Sequence, residues 1–110
     1  MTMNYIYAAT VADVEPGNMK AVVVEGKELL LANVSGQFFA LQRSCPHMGA
    51  DLSRGKIVGS TVVCPLHKAA FDLATGEALD KAKLLFLKFP TKDAQTYKVK
   101  VENDSIFVEI

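Results

Sequence analysis

Cys45-Pro46-His47 and Cys64-Pro65-Leu66-His67, with 16 residues between them (48–63), hold every cysteine and histidine of this chain, two of each. Any chemistry that needs a soft donor therefore belongs to these two segments. Each supplies one sulfur and one imidazole nitrogen. A disulfide gives no reason for a histidine two or three residues after each cysteine, whereas a metal site groups sulfur and nitrogen ligands in this way. In an extended segment Cys-X-His puts both side chains on one side, and Pro65 presets a backbone angle that suits the tighter Cys-X-X-His turn. With both histidines committed to metal, none remains for a hydrolytic Ser-His-Asp arrangement.

Outward from the two segments, Thr61-Val62-Val63-Cys64 and Ala70-Phe71-Asp72-Leu73 read as short strands between loops rich in Gly, Pro and Asp. Upstream, Val22 to Val24 and Leu29 to Leu31 are β-rich runs joined by the Gly-containing connection Glu25-Gly26-Lys27, and Ser35-Gly36 introduces a third run, Gln37 to Leu41. Three strands in meander order follow. At the other end, Tyr97 to Glu102 alternates cleanly, Asn103-Asp104 is a turn, and Ser105 to Ile110 alternates again, which predicts a terminal hairpin with one buried face. No stretch holds a 3.6-residue apolar period for a full helix; Val11 to Glu15 makes at most a single turn before Pro16-Gly17. The expectation is an all-β chain with an antiparallel β-sandwich base made by its two ends. A smaller metal-carrying subdomain, about 43–79, is inserted between them, and residues 1–110 form one domain.

Half of the 110 residues are apolar, enough for a real core, and 12 basic residues balance 12 acidic ones. That balance leaves no overall field for gripping nucleic acid or an anionic membrane. The longest apolar runs, such as Leu84 to Leu87, are far shorter than the roughly 18 residues of a membrane span. The opening residues show no basic region before an apolar stretch, so the expected location is the cytoplasm, with no membrane partner. Gly49, Gly55 and Gly76 read as turn glycines, and Asp51, Asp72 and Glu77 as loop and turn residues; no paired-carboxylate site can be argued. Lys81, Lys83 and Lys88 read as a solvated face.

Two metal readings compete. Structural zinc also takes two cysteines and two histidines, but zinc sites commonly pair like with like at spacings of two or more. A 2Fe-2S cluster held by two cysteines on one iron and two histidines on the other fits mixed pairs. On Cys45-Pro46-His47-Met48-Gly49, Cys64-Pro65-Leu66-His67 and the following Phe71-Asp72-Leu73-Ala74-Thr75-Gly76-Glu77, the chain resembles the Rieske family, in particular its small soluble ferredoxins. The resemblance implies a fold of three antiparallel sheets, one 2Fe-2S cluster on Cys45, His47, Cys64 and His67, and both histidines close to solvent. It implies a one-electron carrier, not an enzyme in itself, between a flavin-dependent reductase and a terminal aromatic-ring oxygenase or a similar acceptor; the chain is expected to be a monomer. A second reading within the family is the small Rieske-like subunit of a nitrite reductase; a reading of another class is a zinc-stabilised interaction module.

Departures from the family pattern point to its low-potential branch. High-potential relatives brace the cluster with a disulfide at positions that are Ala50 and Leu66 here, and donate hydroxyl hydrogen bonds to sulfur from positions that are Ala69 and Phe71. Without those donors the extra charge of the reduced state is less well stabilised. Lys68 stands where many relatives have glycine and acts in the opposite sense, because a nearby cation favours reduction. Residues 80–87 lack the proline that often marks the loop covering the cluster, so that cover is expected to be apolar and differently shaped.

Overall fold

The computed structural model describes residues 4–46, 49–65, 69–79 and 93–110. In chain order the strands are β1 (Tyr5–Thr10), β2 (Met19–Val24), β3 (Lys27–Val34), β4 (Gln37–Gln42) and β5 (Lys56–Val58). They are followed by β6 (Thr61–Val63), β7 (Ala70–Asp72), β8 (Thr96–Tyr97), β9 (Val99–Glu102) and β10 (Ser105–Glu109). They form three sheets, ordered β1-β10-β9, β2-β3-β4-β8 and β5-β6-β7. Among the described residues every strand pairing is antiparallel.

Leu29-Leu30-Leu31-Ala32 in β3 explains how the three sheets are stacked. Side chains alternate across a strand, yet all four of these residues are buried, so both faces of the central sheet must be covered. On one face Leu29, Leu31 and Ala40 pack with Ala9, Val14, Val24, Ile106 and Val108, which is the base. On the other, Leu30, Ala32 and Leu41 pack with Leu52, Val62, Phe71 and both cysteines. The central sheet is thus shared between a sandwich and the unit that carries the cysteines.

Three hairpins close through two-residue turns in which both residues have positive φ: Glu25-Gly26, Ser35-Gly36 and Asn103-Asp104. That geometry matches the right-handed twist of the strands it joins. The single turn expected near Val11 is a 3-10 turn at Val11–Asp13. Buried Asn33 ties that end of the chain to the β3–β4 hairpin, its amide donating to Val14 O (2.7 Å) and its Oδ1 accepting from Gly36 N (2.8 Å).

Tyr97 to Glu102 alternates like one strand, but it changes sheet at Lys98: Thr96–Tyr97 pairs with β4, while Val99–Glu102 pairs with β10. The corner stitches the central sheet to the base, and period-2 alternation carries no mark of it. The expected cover at residues 80–87 and the lysines at 81, 83 and 88 lie outside the described residues.

Candidate metal centre

Cys45 follows β4 and Cys64 follows β6, each as the first residue of a short loop. The two loops are closed in the same way. Cys45 N donates to Ala50 O (2.7 Å) and Cys64 N donates to Ala69 O (2.6 Å), so each cysteine amide bonds the carbonyl five residues on. In the first loop Gly49 N also donates back to Cys45 O (2.7 Å), and Gly49 takes φ +74° to do so. Matching clasps hold both cysteines at the bases of twin loops.

Both cysteines are almost fully buried, at 2% and 1% exposure, in the same apolar layer as Leu52, Val62, Ala69 and Phe71. A dry, packed surround suits thiolate ligation, because it excludes water and keeps the local dielectric low. His47 and His67, with Met48, Leu66 and Lys68, lie outside the described residues. Two of the four expected ligands are therefore brought together. Among the described residues no group of three metal-binding side chains forms, as expected when both imidazoles lie outside them. The donor set, two sulfurs in one dry layer at the bases of twin loops whose next one or two residues lead to imidazoles, fits a 2Fe-2S cluster.

An ion pair braces the first loop at its neck. Arg43 Nε donates to Asp51 Oδ1 (3.1 Å) and Arg43 Nη2 to Asp51 Oδ2 (2.8 Å), a two-pronged contact across the open end of the loop. Asp51 also accepts from Ser53 N (2.9 Å) and Ser53 Oγ (2.6 Å), capping the 3-10 turn Leu52–Arg54. The hydrogen bond from Arg43, reinforced by those from Ser53, holds the Asp51 carboxyl well below its ordinary pKa of 3.8. Reading Asp51 as a plain loop residue understated it; the available signal was Arg43, eight residues away across the motif. Gly55, read as a turn glycine, has an ordinary negative φ of −82° and is required for another reason: a Cβ there would overlap the carbonyl oxygen of Val63. A recess of about 320 Å³ opens beside the second cysteine, lined by Arg54, Gly55, Lys56, Val63, Cys64 and Pro65.

The family model described as Rieske [2Fe-2S] domain matches residues 4–85. The chain belongs to the Rieske family. Over 110 residues it is 38% identical to the ferredoxin component of the naphthalene 1,2-dioxygenase/salicylate 5-hydroxylase systems of a Ralstonia species, spanning 100% of this chain and 99% of that one. A chain of the complex of reduced oxygenase and oxidised ferredoxin in carbazole 1,9a-dioxygenase superposes with a TM-score of 0.80 at 26% identity, covering 96% of this chain and 92% of that one. A candidate small subunit of an NADH-dependent nitrite reductase from Mycobacterium tuberculosis superposes at 0.84 over 100% of this chain and 97% of that one; at 24% identity it speaks for the fold alone.

The cofactor of this Rieske protein is thus a 2Fe-2S cluster, which displaces the readings of a zinc module and of a simple disulfide. The protein is an electron carrier, the ferredoxin type of component and not the catalyst. The cluster supplies one-electron exchange; the chain supplies the dry layer and the two clasped loops. Among the described residues no helix is long and apolar enough to cross a membrane.

Proposed function

We propose that this Rieske ferredoxin holds its cluster through Cys45 and Cys64 on one iron and His47 and His67 on the other, and passes single electrons from a flavin-dependent reductase to a terminal aromatic-ring oxygenase. The observation that carries the ligand assignment is the pair of twin loops, in which each cysteine amide is clasped five residues on and both cysteines enter one buried layer. Full-length similarity to a dioxygenase ferredoxin component supports the choice of partners. The protein works as a cytoplasmic monomer, a single domain over residues 1–110, meeting its partners transiently at the histidine edge. Pro46, Met48, Pro65, Leu66 and Lys68 flank the histidines in sequence and supply a mostly apolar contact, suited to a small and easily reversed interface.

The test is reconstitution with the reductase and oxygenase of a naphthalene dioxygenase system. Oxygenase turnover that depends on added protein, and that disappears in Cys45→Ser and Cys64→Ser, is the expected result. Turnover unaffected by adding the holoprotein, while a known ferredoxin supports it, would reject the assignment of partners.

A further inference from the structure

Between Cys45 and Cys64 the chain runs through a short series of fixed contacts. At the neck of the first loop Leu52 N donates to Arg43 O (2.8 Å), and Ser44 and Asp51 form an isolated bridge. Asp51 caps the turn that follows and is itself gripped by Arg43 and Ser53. Leu52, fully buried, drives this turn into the layer shared by both cysteines. The turn closes with Gly55 N donating to Leu52 O (3.0 Å), and Gly55 then lies flat against the carbonyl of Val63, the residue before Cys64. Immediately beyond, Lys56 pairs with Val63 in the β5–β6 ladder. Each step is a backbone contact, a multiply bonded carboxylate or, at Leu52, a fully buried side chain, so little play remains between the two loops.

We propose that the Asp51–Gly55 turn is a spacer that sets the distance between the two cysteine loops, with Asp51 as its anchor and Gly55 as its gauge. Both are positioning residues: neither is a ligand, and both act through the cysteines. The inference rests on Cys45 and Cys64 being ligands, as proposed above. A cluster of fixed dimensions demands a fixed separation of its two thiolates, and neither loop alone can set it. A methyl group at Gly55 collides with backbone, not with the yielding end of a side chain, so the Gly55 turn and the Val63 strand end, with the cysteine after it, must move apart. Loss of the Asp51 carboxylate frees the turn from Arg43 and leaves the first loop to settle on its own.

Gly76 provides an internal control. A Cβ there would overlap the carbonyl of Ala94, and Gly76 also has φ +79°, so Gly76→Ala is at least as strained, but it sits after β7 and outside the path between the cysteines. The experiment prepares holoprotein of the parent, Gly55→Ala, Asp51→Asn, Asp51→Ala and Gly76→Ala. It measures melting temperature, the half-life of the visible spectrum in excess chelator, and the Fe–S(Cys) stretching bands by resonance Raman. Loss of a group that holds a metal ligand in place typically costs about 10- to 100-fold in metal affinity, and cluster retention should follow it. The half-life should shorten by that factor in Gly55→Ala and Asp51→Ala and less in Asp51→Asn, which keeps an oxygen for Ser53. The Fe–S(Cys) bands should shift or broaden in the first two. Gly76→Ala should lower the melting temperature with the parent bands and a near-parent half-life.

Parent bands and half-life in both Gly55→Ala and Asp51→Ala would overturn the spacer, as would equal cluster loss in Gly76→Ala at the same melting temperature. If Gly55→Ala cannot be purified with a cluster, the graded pair at Asp51 decides. Cys45→Ser and Cys64→Ser, run in parallel, separate this failure from that of the ligand assignment: a parent spectrum in either would remove the ligands themselves.

Discussion

Phe71→Tyr adds a phenolic hydroxyl to a side chain with no exposure, in the layer that also holds Cys45, Cys64 and Ala69. A buried hydroxyl without a partner costs about 1–3 kcal/mol, so it turns to an acceptor within reach, and the sulfurs are the electron-rich atoms of that layer. A hydrogen bond to a charged acceptor contributes about 1.5–3 kcal/mol, and it strengthens when the cluster gains an electron. If roughly 1 kcal/mol of that strength appears only on reduction, the midpoint rises by about 40 mV, at 59 mV per tenfold change for one electron. Ala69→Ser, at the clasp of the second loop, should raise it by a similar amount. The parent should titrate near the low end of the Rieske range, toward about −150 mV. Protein-film voltammetry on folded holoprotein measures all three. An unchanged or lowered midpoint in both variants, or a parent near the top of the range, would refute the argument that missing hydroxyl donors set the potential.

Asp51→Ala removes a helical cap and should destabilise the holoprotein at pH 7 by about 1 kcal/mol. Because pairing holds the folded-state pKa of Asp51 below 3.8, its contribution is complete above that value and is lost as pH falls through the folded pKa. The melting-temperature gap between parent and variant should therefore be constant near neutrality and close below about pH 3.8; a gap unchanged down to pH 3 would contradict the pairing. Leu31→Ala empties a site in the base, which should cost about 2–5 kcal/mol yet leave the visible spectrum of the folded protein intact; a changed spectrum would mean that base and cysteine layer are not separable. Met48→Asp should slow electron transfer to the oxygenase at every salt concentration, and Lys68→Glu mainly at low salt, because a single charge steers encounter more than it strengthens binding. Stopped-flow rates unaffected by either change would place docking elsewhere.

The two cysteine segments were legible because ligand chemistry tolerates few substitutes and each segment pairs one cysteine with one histidine at close range. The meander and the terminal hairpin were legible because their turn residues and alternation are local signals. Leu29-Leu30-Leu31-Ala32 shows the limit of such signals: the run marks a strand, but only the stacked sheets show that both its faces are covered. The corner at Lys98 was hidden because one alternating run serves two sheets. Arg43, Asp51 and Gly55 were undervalued for a related reason. An arginine, an aspartate and a glycine are ordinary surface and loop residues by type, and their roles come from a salt bridge and a close backbone approach that depend on three-dimensional placement.

Imidazole bound to a reducible iron pair distinguishes a Rieske cluster from an all-cysteine cluster and from a zinc site, so the most direct measurement is pulsed EPR on the reduced protein carrying nitrogen-15 histidine. Two directly bound imidazoles should give nitrogen hyperfine coupling, alongside two irons and two acid-labile sulfides per chain. A reduced signal without directly bound nitrogen, or a preparation holding zinc in place of iron and sulfide, would contradict a Rieske cluster in this chain.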